Sequence, residues 1–183
     1  MRVPRTFVFV DISGFTNFTN ENGDDAAGRL LASWRAVTRD VASETGVRIA
    51  KWLGDGCMIV AVDQRDAITF ALELQKRSGA ACAPLSIRVG MASGLALLFE
   101  GDDYIGTAVN MAARLCDAAG SFEVIIPSEH IENLPEGVVA TPHESMSLRG
   151  LNEAIPVVSL TGEATNAARN DTGELWTRSP FVL

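Results

Sequence analysis

The apolar residues of this chain change period repeatedly, and that alternation limits it to a layered arrangement of strands and helices. Residues 6–10 form a near-continuous apolar run of strand type. Asp24–Thr45 then carries Leu30, Leu31, Trp34, Val37 and Val41 at helical spacing and stops at Gly46. Two more strand-like runs, 47–53 and 57–62, flank a Gly-Asp-Gly turn as a hairpin, and 65–76 follows as a helix with Ile68, Leu72 and Gln75 on one face. The next pair of strands is expected at 85–92 and 95–99, a helix at Thr107–Ala118, a strand at 122–126 and a short helix at 128–133. Short strands at 138–141, 145–148 and 156–160 complete the pattern. This order reads as α+β: a ferredoxin-like βαββαβ core with extra C-terminal strands, with Trp34 and Trp52 packed inside it.

Within that frame two carboxylates stand out. Asp11 closes the first apolar run, in Phe7-Val8-Phe9-Val10-Asp11-Ile12-Ser13-Gly14-Phe15-Thr16, and Asp55 lies in Lys51-Trp52-Leu53-Gly54-Asp55-Gly56. An aspartate beside glycine can be a simple turn former. Two acids framed this way, which the fold brings to one edge of the sheet, are better explained by a divalent cation, because magnesium is usually held by one or two carboxylates plus substrate phosphate oxygens.

Composition narrows the substrate class. At 183 residues with a formal charge of −8, the chain is sized for a single domain and lacks the basic stripe of a nucleic-acid-binding surface. An anionic substrate would need metal and local cations. The three cysteines, Cys57, Cys82 and Cys116, cannot pair completely and lack metal-ligand spacing, which predicts reduced, buried thiols. With no signal-like or membrane-spanning apolar segment in the sequence, a cytoplasmic protein is expected. His130 and His143 match no motif and are expected at the surface.

The segments around both acids, together with Arg88-Val89-Gly90 and Asp103-Tyr104-Ile105-Gly106-Thr107-Ala108-Val109-Asn110-Met111-Ala112-Ala113-Arg114-Leu115, closely resemble the class III nucleotidyl cyclases. The resemblance covers residues 5–161, leaving 162–183 as a tail whose apolar anchors are Trp176, Phe181 and Val182. It implies conversion of a nucleoside triphosphate to the 3′,5′-cyclic monophosphate and pyrophosphate. Asp11, Asp55 and the Ile12 carbonyl match the ligands of two divalent cations, Mg²⁺ or Mn²⁺. Ser13, Gly14, Phe15 and Thr16 open toward a helix whose free amides suit phosphate oxygens.

Asn110 and Arg114 lie one helical turn apart on one face. By resemblance Asn110 orients the ribose and Arg114 meets charge on the α-phosphate. Lys51 and Asp103 match the purine-reading pair; a donor ammonium and an acceptor carboxylate complement the adenine edge, pointing to ATP and an adenylate cyclase, with guanylate cyclase as the alternative. A register shift of one residue would give Asp102 that role. Arg149 falls where the family often has a triphosphate-binding lysine, and Tyr104 either borders the nucleotide or simply packs. The resemblance further implies a head-to-tail homodimer with composite sites.

Two other classes fit less well. A non-catalytic nucleotide-binding module would most naturally have lost an acid, Asn110 or Arg114, and all are present. A palm-type polymerase or diguanylate cyclase would need a Gly-Gly-Asp/Glu-Glu-Phe hairpin or a basic template channel, and the sequence has neither.

Overall fold

The computed structural model describes residues 1–100, 103–148 and 153–162. The strands are β1 (Arg2–Ser13), β2 (Arg48–Leu53), β3 (Gly56–Ala61), β4 (Ser86–Phe99), β5 (Asp103–Ile105), β6 (Val124–Pro127), β7 (Val138–Pro142) and β8 (Val157–Gly162). The helices are α1 (Phe15–Asn22), α2 (Asp24–Thr45), α3 (Gln64–Ala81) and α4 (Thr107–Ala118). One sheet runs β2-β3-β1-β4-β6-β8-β7, with β5 paired to β4. Its first four strands are each antiparallel to their neighbours and, with α2 and α3, form the ferredoxin-like core. Strand β6 joins β4 in parallel, and β8 and β7 extend the sheet as a C-terminal hairpin.

Alternation along β1 assigns its side chains to two cores. Val8, Val10 and Ile12 pack with Trp34 and Val41 of α2 and Phe70 and Leu74 of α3. Phe7 turns the other way, into a smaller cluster with Ala92 and Ala96 of β4 and Ala108 and Ala112 of α4. Trp34 and Phe70 are fully buried, and truncating Phe70 to alanine would cost about 3–5 kcal/mol in lost transfer energy and cavity. Helix α2 starts with Asp24 and Asp25 in its first turn, where they complement the helix dipole, and stops at Gly46 in the left-handed conformation. Asp63 caps α3 by accepting the Arg65 N–H at 2.8 Å.

Five expectations change. The predicted strands 85–92 and 95–99 are one strand, because β1 pairs with β4 without interruption from Ser13↔Ser86 to Arg2↔Leu97 and Gly94 continues the ladder beneath Ala108. Residues 145–148 form no strand; Met146 and Ile155 make an isolated bridge. An additional helix, α1, lies between β1 and α2. Trp52 sits at the rim of the core and is only partly buried, meeting Trp34 edge-on at 5.8 Å. Helix α3 also extends beyond the predicted 65–76.

Cys57, Cys82 and Cys116 are free and buried, and burial pushes all three thiols above their usual range. Among the described residues no helix is long and apolar enough to cross a membrane. Trp176, Phe181, Val182, Asp102 and Arg149 lie outside the described residues.

Candidate active site

Asp11 shares its side of β1 with Phe7 and Phe9, facing the α4 side of the sheet. It stands opposite Gly56 of β3 and Arg88 of β4. The Gly56 position admits no side chain: a Cβ there would lie 2.6 Å from the Val10 carbonyl oxygen and 3.3 Å from Asp11 Oδ1. Gly54, at φ 65°, turns the chain into Asp55. The Ile12 N–H then donates to the Asp55 carbonyl at 3.3 Å, drawing the end of β1 onto the hairpin turn. Backbone register and two glycines thus bring both acids to one corner of the sheet.

Arg88 Nε and Nη2 both donate to Asp11 Oδ2, at 2.9 and 2.7 Å, while Nη1 donates to the Asp117 carbonyl of α4 at 2.8 Å. Burial raises the Asp11 pKa, the Arg88 hydrogen bonds oppose the rise, and the charge of Asp55 adds to it. A carboxylate disfavoured by burial and by a second carboxylate is the chemistry a hard dication reverses. Among the described residues no three His, Cys, Asp or Glu side chains gather as a metal cluster. The sequence quoted Arg88 within a motif but gave it no role, because a partner across a strand pair is not readable before the register is known.

The other groups occupy the same side of the sheet. Lys51 of β2 lies opposite Met58, a member of the smaller cluster, and forms an ion pair with Asp103 of β5. Strand β5 pairs Asp103 with Phe99, and Tyr104 packs edge-on against Phe7 at 5.4 Å. Both charged side chains remain nearly half exposed, at 44% and 48%.

Helix α4 lies hard against β4: a Cβ at Gly90 would come within 2.0 Å of the Cys116 amide nitrogen, and one at Gly106 within 2.9 Å of the Leu95 carbonyl oxygen. This contact fixes the outward stripe of Asn110, exposed, and Arg114, half-buried. Arg114 borders an open depression of about 570 Å³ with Asp117, Ala118, Ser147 and Leu148. Gly14, at φ 82°, leads into α1 as its N-cap and makes no side-chain cap hydrogen bond to the first turn.

The sequence model of the adenylate and guanylate cyclase catalytic domain matches residues 4–161. The chain belongs to this cyclase family. A Mycobacterium tuberculosis protein of uncharacterised function is 32% identical over 152 residues, 83% of this chain and 40% of that protein. An adenylate cyclase of Streptomyces coelicolor is 31% identical over 126 residues, 69% of this chain and 33% of its own length. The chain therefore spans two fifths or less of the length of these curated relatives. Among solved structures, the adenylyl cyclase CyaB from P. aeruginosa superposes with a TM-score of 0.77 at 23% identity, covering 88% of this chain and 95% of that one. The guanylate cyclase domain of RhGC from Catenaria anguillulae, in complex with GTP, gives 0.76 at 20%, covering 88% and 98%. At these identities the likeness is one of fold. Cyclase catalytic domains of this family act on nucleotides, generally use divalent metal ions and typically dimerise.

His130 departs from its expected surface position. It is half-buried, its Nδ1 accepts the Ser93 N–H at 3.2 Å, and its carbonyl accepts from Gln64 Nε2 at 2.5 Å. It is part of a polar tie between β4, α3 and the segment after β6, away from the acids. His143 is also partly covered and lies 3.2 Å from Glu123.

Proposed function

We propose that this domain is an adenylate cyclase that forms 3′,5′-cyclic AMP and pyrophosphate from ATP at two composite sites of a homodimer. The observation that carries the ATP assignment is the Lys51–Asp103 pair, which holds a donor and an acceptor side by side and open to solvent. Adenine offers a donor amino group and the N1 acceptor, so the pair can exchange its internal contact for both; guanine presents the reverse pattern.

In the reaction the ribose 3′-oxygen attacks the α-phosphorus in line. The new O3′–P bond forms as the bond to the β-phosphate oxygen breaks, the 3′-hydroxyl proton is lost and pyrophosphate leaves. Asp11, Asp55 and the Ile12 carbonyl would hold two divalent cations, Mg²⁺ or Mn²⁺, which favour ionisation of the 3′-hydroxyl and neutralise the triphosphate. Asn110 orients the ribose, and Arg114 stabilises charge growing on the α-phosphate. The amides of Ser13, Gly14, Phe15 and Thr16 receive phosphate oxygens, and Arg149 adds a cation for the triphosphate.

A shared site is supported by the way Arg88 fills the space between Asp11 and the end of α4. Within one chain, Asp11 meets Arg88 there, not Asn110 or Arg114. A two-fold dimer supplies the missing half-set from the second copy.

Incubating the purified chain with Mn²⁺ and either ATP or GTP, and separating products by chromatography, tests the reading. Cyclic AMP from ATP with little cyclic GTP from GTP is the expected result. Preferential turnover of GTP would overturn the adenylate assignment, and turnover of neither would overturn the enzymatic one.

A further inference from the structure

On the side opposite the acids, the hairpin that carries Asp55 is contacted by arginines of α2. Arg35 of α2 donates from Nη2 to the Gly54 carbonyl at 2.8 Å, and its guanidinium carbon lies 4.9 Å from the centre of the Trp52 ring. Arg39, one turn later, stacks on the same ring at 5.2 Å. Trp52 in turn rests edge-on against Trp34, which is completely buried. The hairpin tip is therefore tied to the main core through an aromatic contact and to α2 through a hydrogen bond to its backbone.

What this tie controls follows from the sequence around it. Neighbouring strand residues point to opposite faces, so seating Trp52 toward α2 directs Lys51 to the α4 side, where it meets Asp103. The carbonyl that Arg35 holds belongs to the peptide joining Gly54 to Asp55. Gly54, at φ 65°, contributes the carbonyl of that peptide and Gly56 follows Asp55, so the turn itself has little intrinsic preference for how the peptide is oriented. An external donor is the physical means of choosing one orientation.

We propose that Arg35 is a positioning residue which, through the Gly54 carbonyl and the Trp52 ring, sets how the hairpin presents Asp55 to a divalent cation and Lys51 to the purine. The inference rests on the cyclase reading of Asp55 and Lys51. In a two-fold dimer those residues serve different sites, so one α2 arginine tunes metal binding in one site and base binding in the other.

The test compares the whole wild-type chain with Arg35→Gln, Arg35→Lys and Arg39→Gln. Mn²⁺ titrations are followed by thermal unfolding and tryptophan fluorescence, alongside the Mn²⁺ and ATP dependence of cyclisation. Arg35→Gln should raise the half-saturating Mn²⁺ concentration about ten-fold, as loss of a group that orients a metal ligand does, and raise KM for ATP in parallel. Arg35→Lys keeps a donor but loses the planar stack, so its midpoint should fall between those of wild type and Arg35→Gln. Arg39→Gln should alter the fluorescence and leave the Mn²⁺ midpoint within about two-fold, because it touches the ring and not the turn.

A lower metal-free Tm in Arg35→Gln with an unchanged Mn²⁺ midpoint would make Arg35 purely structural and overturn the proposal. If Arg35→Gln fails to fold, Arg35→Lys decides: a midpoint equal to wild type overturns the proposal, and a raised one supports it. A wild type that binds Mn²⁺ but cyclises neither nucleotide would defeat the cyclase reading while the binding titrations still judge Arg35. A wild type that does not respond to Mn²⁺ at all would defeat both.

Discussion

The acid corner and the α4 stripe are built by different means. Asp11 and Asp55 are brought together by backbone: the β1–β3 register, the Ile12 N–H and a glycine at position 56 that admits no Cβ. Helix α4 is also seated by backbone contact, through Gly90 and Gly106, but the groups it carries project away from the sheet. Among the described residues Arg114 has no ion-pair partner, whereas Asp11 already has Arg88. The corner thus pairs its acids with groups of the same chain, whereas among the described residues no ion pair engages the Arg114 guanidinium on the stripe. That contrast is the physical basis for assigning metal binding to one and transition-state contact with a nucleotide held by a second copy to the other.

The largest effect is expected at the corner. Asp11→Asn or Asp55→Asn should abolish cyclic-nucleotide formation and remove the rise in Tm caused by Mn²⁺, while far-UV circular dichroism stays native. Either variant retaining full activity at saturating Mn²⁺ would break the distinction between the two regions. On the stripe, Arg114→Ala should lower kcat by about 10²–10³-fold with a smaller change in KM and an intact Mn²⁺ response, because its contact strengthens as charge develops. Loss of the Mn²⁺ response in this variant would mean that the two regions are not separable.

A smaller effect concerns the base. Exchanging Lys51 and Asp103 for residues of reversed hydrogen-bonding character should lower the ATP/GTP ratio of kcat/KM by at least about ten-fold, since donors and acceptors that a bound base covers go unpaired when the base is the wrong one. An unchanged ratio would remove the pair from base recognition.

The corner was legible in the sequence because its determinants are local: an acid at the end of an apolar run, and an acid between two glycines, carry their turn chemistry with them. The βαββαβ order was legible for the same reason, from changes of period at Gly46 and the Gly-Asp-Gly turn. What the sequence hid depends on register. Arg88 meets Asp11 only because β1 and β4 pair as they do, and Arg35 reaches Gly54 only because α2 crosses behind the hairpin. The uninterrupted length of β4 was hidden as well, since Ser93-Gly94 resembles a break until β1 runs beside it and α4 lies over it.

The smallest effect lies far from both regions, at His130. Burial lowers its pKa below the ordinary histidine value, against the opposing influence of Glu129 and Glu132. The folded state therefore binds fewer protons there than the unfolded chain, so the contribution is present above about pH 6.5 and is lost as pH falls through the unfolded value toward the lower folded one. Protonation would also set an N–H against the Ser93 N–H. Urea unfolding of wild type at several pH values should show this acid-side loss, and His130→Asn should flatten it. An identical pH slope in the variant would exclude His130 as its source.

The composite site is tested most directly by mixing two inactive chains. Asp55→Ala retains Asn110, Arg114, Lys51 and Asp103, whereas Arg114→Ala retains both metal acids. In a heterodimer one site collects both lesions and the other collects none. Equal mixtures that exchange freely make about half of the dimers mixed, each with one intact site, so activity should return to roughly a quarter of wild type by two-fold symmetry. Verified subunit exchange with no recovered activity would contradict the shared site, even with both homodimers inactive.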